Sequence, residues 1–423
     1  MKPTGSKMTV NAVSLMSATL ATNALGLVFW AVVARVDGPR AVGGAFSEIS
    51  ALVLLSTLAQ LNLTQGFIRF LPGAGRLTRP FVVRGYLAVT VLALVAASAF
   101  VASGLGAGVV RASLPERILF VVSAALFAIF ALQDSVLTAL RVAHWVPVEN
   151  ISFAAAKLAL LPVLAFLPDR MAIVMASVLP VAAAVAIVNT LLFRGAVGRT
   201  RRLISGYLPV WRRLASFVAA DYSAGLCITA TVQLMPLLVL WRLGAVDEAY
   251  FTLPWLIRMG ILVLLWNVNA SFVVEALTSG AYTPRLLRRG FQLWGAVVVG
   301  AVLVCCLGAP LLLRLEGPEY AEHSATLLRL IGLSVPFMAV SVLYGVFAWL
   351  ERRLWRLVAI QAASGVLLAV LSLALMPRLG VAAVGWANLA AQALAAALMA
   401  PSLYTRLVGR SSKAVAVVAE GLR

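Results

Sequence analysis

Apolar runs of about twenty residues recur from one end of the chain to the other, divided by short clusters of Arg, Lys, Pro and Gly. A helix rises about 1.5 Å per residue, so roughly 20 apolar residues cross the hydrocarbon core of a bilayer. The pattern predicts twelve spans, near 10–34, 44–70, 84–104, 118–140, 150–168, 171–193, 214–241, 249–277, 290–313, 325–350, 354–376 and 381–404. Backbone groups in lipid must find their partners within the segment, so the expected architecture is an all-α polytopic membrane protein. No stretch is left for a sizeable soluble domain, which argues against a membrane-tethered enzyme with a globular head.

Composition agrees. Of 423 residues, 62% are hydrophobic and 12% charged, against roughly half and a quarter in a soluble domain. Thirty-four Lys and Arg face fifteen Asp and Glu, a net charge of +19. In a soluble chain that surplus would suggest nucleic acid. In a hydrophobic chain it reads as topology, because cytoplasmic loops carry the Lys and Arg excess. The clusters at Lys2 and Lys7, at Arg69, Arg76, Arg79 and Arg84, at Arg285, Arg288 and Arg289, and at Arg352, Arg353 and Arg356 fall on alternate connections. Both termini are therefore expected in the cytoplasm. Lys2 and Lys7 precede an apolar run too long for a signal peptide and without its cleavage pattern, so that run reads as the first span.

The connection 194–213 carries Arg194, Arg199, Arg201, Arg202, Arg212 and Arg213 near the chain's midpoint. It divides the expected fold into an N-terminal six-helix bundle (1–193), a basic cytoplasmic linker (194–213), a C-terminal six-helix bundle (214–404) and a cytoplasmic tail (405–423). Shifting the first six spans by 207 positions brings them near the starts of the last six, and places Arg35 on Arg242 and Gly73 on Gly280. Six helices per half keep both halves in one orientation, the arrangement of parallel repeats around a central cavity. Evenly spaced spans in any twelve-helix chain would give the same shift.

Charges at mid-depth in a helix cost about 2.5 to 3.5 kcal/mol each on insertion scales, so they must face protein or water. The candidates are Glu48, Asp134, Lys157, Asp221 and Arg258. At about 100° per residue, Glu48 shares a face with Asn62, with Arg69 at the inner end of that span. Asp134 likewise falls with Arg141, Lys157 with Asn150, and Arg258 with Asn269. Lys157 and Arg258 sit in different halves, too deep to snorkel easily. Facing one another across a cleft, they would hold a phosphate-type anion, with Asn62 and Asn269 accommodating a polar cargo. Structural pairing with Asp134, Glu48 or Asp221 is the other reading. Asp134 and Asp221 are candidates for ion coupling or for bracing an inner gate against Arg141 or linker arginines. Glu48 and Arg69 belong to the same gating or coupling group. Pro162, Pro180, Pro236, Pro254, Pro310 and Pro336 fall inside spans and bend them, as carriers that rock between two states require.

No phosphate-cradling Gly-rich loop and no metal-spaced His or Cys set is present. His144 and His323 lie near loops, and Cys227, Cys305 and Cys306 within apolar blocks. The expectation is no metal, no cofactor and no enzymatic activity; the outer loop near 316–325 is too short for a catalytic domain.

The run from Asn11 through Leu25, Gly26, Phe29, Trp30, Ala34 and Arg35, then Val42, Gly43 and Ser47, ending in Ile68, Arg69, Phe70, Leu71 and Pro72, resembles Wzx-type polysaccharide flippases of the multidrug/oligosaccharidyl-lipid/polysaccharide exporter superfamily. The likeness covers roughly residues 8 to 75, and elsewhere rests on the six-plus-six plan. It implies a V-shaped pair of bundles in the bacterial inner membrane, with a cationic central cavity. The implied substrate is an undecaprenyl-pyrophosphate-linked oligosaccharide carried to the outer leaflet by alternating access. Membrane lipids, a polysaccharide polymerase and glycosyltransferases are the implied partners; nucleic acid is not. Lipid II flippases resemble the chain less, since many carry two further C-terminal helices, and no acidic pattern matches the cation site of multidrug exporters. A cation-coupled multidrug exporter of the same superfamily is the alternative, in which Asp134, Asp221 and Glu48 would matter more than Lys157 and Arg258.

Overall fold

The computed structural model describes residues 5–61, 63–111, 113–142, 145–195, 197, 226, 229–279, 284–314, 316–350 and 354–409. They are almost entirely helical. In chain order the helices are α1 (Gly5–Val36), α2 (Pro39–Gln60), α3 (Leu63–Phe70), α4 (Thr78–Ala102), α5 (Leu114–Ala139), α6 (Trp145–Val163) and α7 (Asp169–Arg194). There follow α8 (Thr229–Leu243), α9 (Ala245–Ser279), α10 (Pro284–Cys306), α11 (Ala309–Arg314), α12 (Pro318–Leu350), α13 (Leu354–Leu379) and α14 (Ala382–Gly409). Among the described residues, nine helices are long and apolar enough to cross a membrane. Shorter apolar stretches lie at Ala21–Val36, Thr229–Leu243 and Trp294–Cys306.

Two expected spans are divided. The stretch 44–70 becomes α2 and α3, separated at Leu61, whose backbone is left-handed (φ 44°). A left-handed Leu costs roughly 1–2 kcal/mol, and neither Gly nor Pro marks the break. The stretch 290–313 becomes α10 and α11, parted at Leu307 and Gly308. Pro310 is the second residue of α11, where its missing N–H would have had no helical partner anyway. Pro180, Pro254 and Pro336 do lie inside helices, as expected.

The chain separates into two units, one of residues 21–249, the other of residues 250–423 with 1–20. The linker expected at 194–213 lies largely outside the described residues, as does most of the 405–423 tail.

In the first unit α5 is the central helix, packed by α2, α4 and α7. Its core includes Phe67, Phe81, Val89, Leu132 and Val136, with Phe67 edge-on to Phe81 at 5.2 Å. α2 meets the start of α9 at Gly43. A Cβ there would stand 2.0 Å from the carbonyl oxygen of Ala245 and 2.8 Å from the Ala249 nitrogen, so only Gly permits this approach. α5 ends in a Schellman turn: Val142 N–H donates to Leu137 O (2.9 Å) and Arg141 N–H to Thr138 O (3.1 Å). Arg141 holds the left-handed position (φ 60°) usually given to Gly.

In the second unit α12 is central, packed by α10, α11 and α14, with α13 against α14. Gly332 lets α10 come close, since a Cβ there would lie 2.7 Å from Cys305 Cβ. Tyr250, at the unit's edge, receives at its carbonyl the hydroxyl of the buried Ser324 (2.7 Å) and stacks on His323 (4.6 Å between rings).

Candidate functional site

The two deep cations belong to different units, Lys157 to the first and Arg258 to the second. Neither is paired with a carboxylate among the described residues. Lys157, on α6, directs its ammonium at aromatic faces: 4.1 Å from the Phe29 ring centre, 5.5 Å from Phe153 and 6.0 Å from Trp30. Phe29 and Trp30 are buried, edge-on to one another at 5.4 Å, and Trp30 is edge-on to Phe46 at 5.0 Å. Such a cage attracts a cation through the ring quadrupoles yet leaves its charge formally unneutralised.

Arg258, on α9, is 4% exposed. Its Nε donates to Asn388 Oδ1 (3.0 Å), and Asn388 Nδ2 in turn donates to Ser334 Oγ (2.8 Å). The guanidinium carbon lies 4.5 Å from the Trp255 ring centre. Nη1 is buried without a hydrogen-bond partner among the described residues. Among the described residues one charged group therefore meets one amide and one indole and keeps a donor to spare.

The acidic candidates are differently placed. Glu48 on α2 accepts from Arg170 on α7, at 2.8 Å from Nη2 and 3.2 Å from Nε. Arg170 also donates to the carbonyls of Gly108 and Val109, tying the α4–α5 connection to this pair. Asp134 on α5 accepts from Asn150 Nδ2 (3.2 Å), so its partner is an amide rather than Arg141. Arg141 is exposed at the turn, and Arg69 is exposed with its guanidinium 5.7 Å from the Phe70 ring centre. Asn62 and Asp221 lie outside the described residues. Asn269 is within α9, but its side chain is not among those described.

Sequence reasoning passed over a polar group beside Asp134. Gln133 Nε2 donates to Glu149 Oε1, and Asn189 Nδ2 to Gln133 Oε1 (2.9 Å). Asp134 Oδ1, Glu149 Oε2, Asn189 Oδ1 and the Tyr86 hydroxyl are buried without partners among the described residues. The available signal was positional: Gln133 and Glu149 stand eight residues either side of Arg141, as partners across an antiparallel helix pair must. Asn388 and the aromatic faces around Lys157 gave no comparable signal.

No protein-family model matches the chain, and no curated protein does. Solved structures do. An inward-facing multidrug resistance MATE family transporter of the MOP superfamily matches with a TM-score of 0.64, covering 95% of this chain and 96% of that one at 13% identity. Lipid II flippase MurJ, in an inward closed conformation, matches with the same TM-score of 0.64 over 92% of this chain and 87% of that one, at 12% identity. This is the MATE and MurJ fold. The MATE multidrug transporter DinF-BH agrees at a TM-score of 0.61 and 14% identity over 95% of this chain and 97% of that one. With nine apolar helices of spanning length among the described residues, the likeness indicates a multi-pass membrane protein.

Proposed function

We propose that this protein is a transporter rather than an enzyme, and that its cargo is an undecaprenyl-pyrophosphate-linked oligosaccharide flipped from the inner to the outer leaflet by alternating access. In this reading it spans the bacterial inner membrane twelve times with both ends in the cytoplasm, as two six-helix bundles (1–193 and 214–404) joined by the basic segment 194–213. Its partners are the lipid-linked glycan, a polysaccharide polymerase and glycosyltransferases. The observation that carries the reading is that Lys157 and Arg258, each on a helix of spanning length, have no carboxylate partner among the described residues. A structural ion pair would include its anion. A cation kept in an apolar setting, with aromatic and amide neighbours among the described residues, suits a group that meets an anionic cargo. Asn62 and Asn269 are proposed to meet sugar, while Glu48, Asp134, Asp221, Arg69 and Arg141 are assigned to gating or coupling.

Cells lacking the chain are expected to accumulate lipid-linked glycan on the inner leaflet, relieved by the parent protein and not by Lys157→Ala or Arg258→Ala at equal membrane abundance. Relief by both variants would remove the cations from the mechanism. The unpartnered Asp134 Oδ1 favours a second reading, a cation-coupled multidrug exporter. That reading requires Asp134→Asn to abolish drug resistance while Arg258→Ala retains it.

A further inference from the structure

Between α6 and α7 of the first unit, with α5 behind them, lies a cavity of about 520 Å³. Its walls are almost wholly apolar: Trp145, Val148 and Phe153 on one side, Ala184, Ile187 and Leu191 on the other. The lining runs along α7 from Pro180 to Gly195, roughly 20 Å at 1.5 Å per residue. One acidic residue is part of the lining. Glu149 lines the cavity, is 5% exposed, and has Oε2 buried without a partner, while Oε1 is held by Gln133.

Position along the helices says what could fill it. Glu149 is one turn from the start of α6, and Trp145 is the first residue of that helix, the level at which membrane headgroups and aromatic belts lie. Two exposed arginines flank the same helix ends: Arg141 precedes the lining residue Val142, and Arg194 precedes the lining residue Gly195. At this end of the groove the lining thus includes one acidic residue, and two exposed arginines adjoin lining residues in the chain. That charge order matches a zwitterionic headgroup above a hydrocarbon chain. The orphan Glu149 oxygen is an acceptor and needs a donor: a quaternary ammonium has none, a polyol headgroup offers only neutral hydroxyls, and a primary ammonium offers charged N–H groups, which make the stronger bond.

We propose that the α6–α7 cavity is a binding site for a phospholipid whose headgroup ends in a primary ammonium, with the nitrogen on Glu149, the phosphate at Arg141 and Arg194, and one acyl chain along the groove. The site lies within one unit and makes no use of Lys157 or Arg258, so it is separate from the proposed cargo site; it shares only Arg141 with the residues assigned above to gating or coupling.

The test is retention of added lipid by the delipidated full-length chain, counted by native mass spectrometry. Dioleoyl phosphatidylethanolamine is expected to bind at least about tenfold more tightly than dioleoyl phosphatidylcholine or phosphatidylglycerol, the scale of one hydrogen bond to a charged group. Stepwise methylation of the ethanolamine nitrogen, which needs no variant, is expected to lose this advantage when the last N–H goes. Glu149→Gln should erase the preference, and Ala184→Trp, which fills the groove away from the carboxyl group, should prevent retention of all three lipids. Equal binding of the three lipids, a preference that survives full methylation or Glu149→Gln, or undiminished retention by Ala184→Trp would each overturn the proposal.

Discussion

Arg258 donates a 3.0 Å hydrogen bond from Nε to Oδ1 of Asn388, joining helices 130 residues apart in the chain. Since both groups are buried, removing the amide leaves a charged donor with nothing to replace it. Asn388→Ala is expected to destabilise the protein by about 2 kcal/mol, the scale of a hydrogen bond to a charged group. Asn388→Asp separates stability from function. A carboxylate at that position would neutralise the guanidinium, so thermal unfolding in detergent should move upward while glycan export falls. Export that rises or stays level with Asn388→Asp would show that the positive charge of Arg258 is not used on the cargo.

Lys157 presents the complementary case, because its ammonium rests on rings and has no carboxylate partner among the described residues. Removing an uncompensated buried charge in favour of an apolar side chain of similar length commonly stabilises a protein. Lys157→Met is expected to raise stability by about 1 kcal/mol and to lower export at least tenfold at unchanged membrane abundance. Phe29→Leu should preserve the charge and weaken its anchoring, costing about 1 kcal/mol through the lost cation–π contact. A variant Lys157→Met that exports normally would assign the lysine to packing alone.

These two residues show how far the amino-acid pattern reaches. The helices were legible because a bilayer allows little else: apolar runs of the right length must become helices. The position of Lys157 and Arg258 inside such runs was also legible, since charges stand out against apolar neighbours. Their partners were not. Phe29, Trp30 and Phe153 look like any lipid-facing aromatic residues until the helices are assembled, and Asn388 is one small amide 130 residues from its arginine. The break at Leu61 was hidden for a related reason: a leucine carries no preference for the left-handed conformation it adopts there, so its side chain does not announce it. Glu149 was overlooked because it lies at the edge of its span, where a carboxyl group reads as interfacial.

Glu48 and Arg170 form the ion pair that fastens the α4–α5 connection to α2 and α7, with both side chains 15% exposed. Breaking a largely buried pair from one side leaves the other charge stranded, at up to about 3–5 kcal/mol in full burial and less with water nearby. Glu48→Gln and Arg170→Met are each expected to cost about 2 kcal/mol, but the double variant should cost less than the two singles combined. Limited proteolysis in the 103–113 connection should rise in both singles. Simple additivity in a double-mutant cycle would deny the coupling.

Glu316, in the short connection between α11 and α12, is 4% exposed, with Oε2 buried and unpartnered among the described residues. Burial favours its neutral form and pushes the carboxyl pKa from 4.5 up to about 8. In the unfolded chain the group ionises near its ordinary value, so between about pH 4.5 and 8 the folded state holds a proton that the unfolded state has released. Stability must then fall as pH rises through that window and level off above it. At about 1.36 kcal/mol per pKa unit the whole effect is at most about 5 kcal/mol. Glu316→Gln keeps the shape and removes the titration. Thermal unfolding in detergent should therefore give matching stabilities for parent and variant near pH 4, a progressively larger advantage for the variant toward pH 8, and a constant gap beyond. Parallel curves across the whole range would mean that Glu316 titrates as an exposed carboxylate does, and that the connection opens to water in the folded protein.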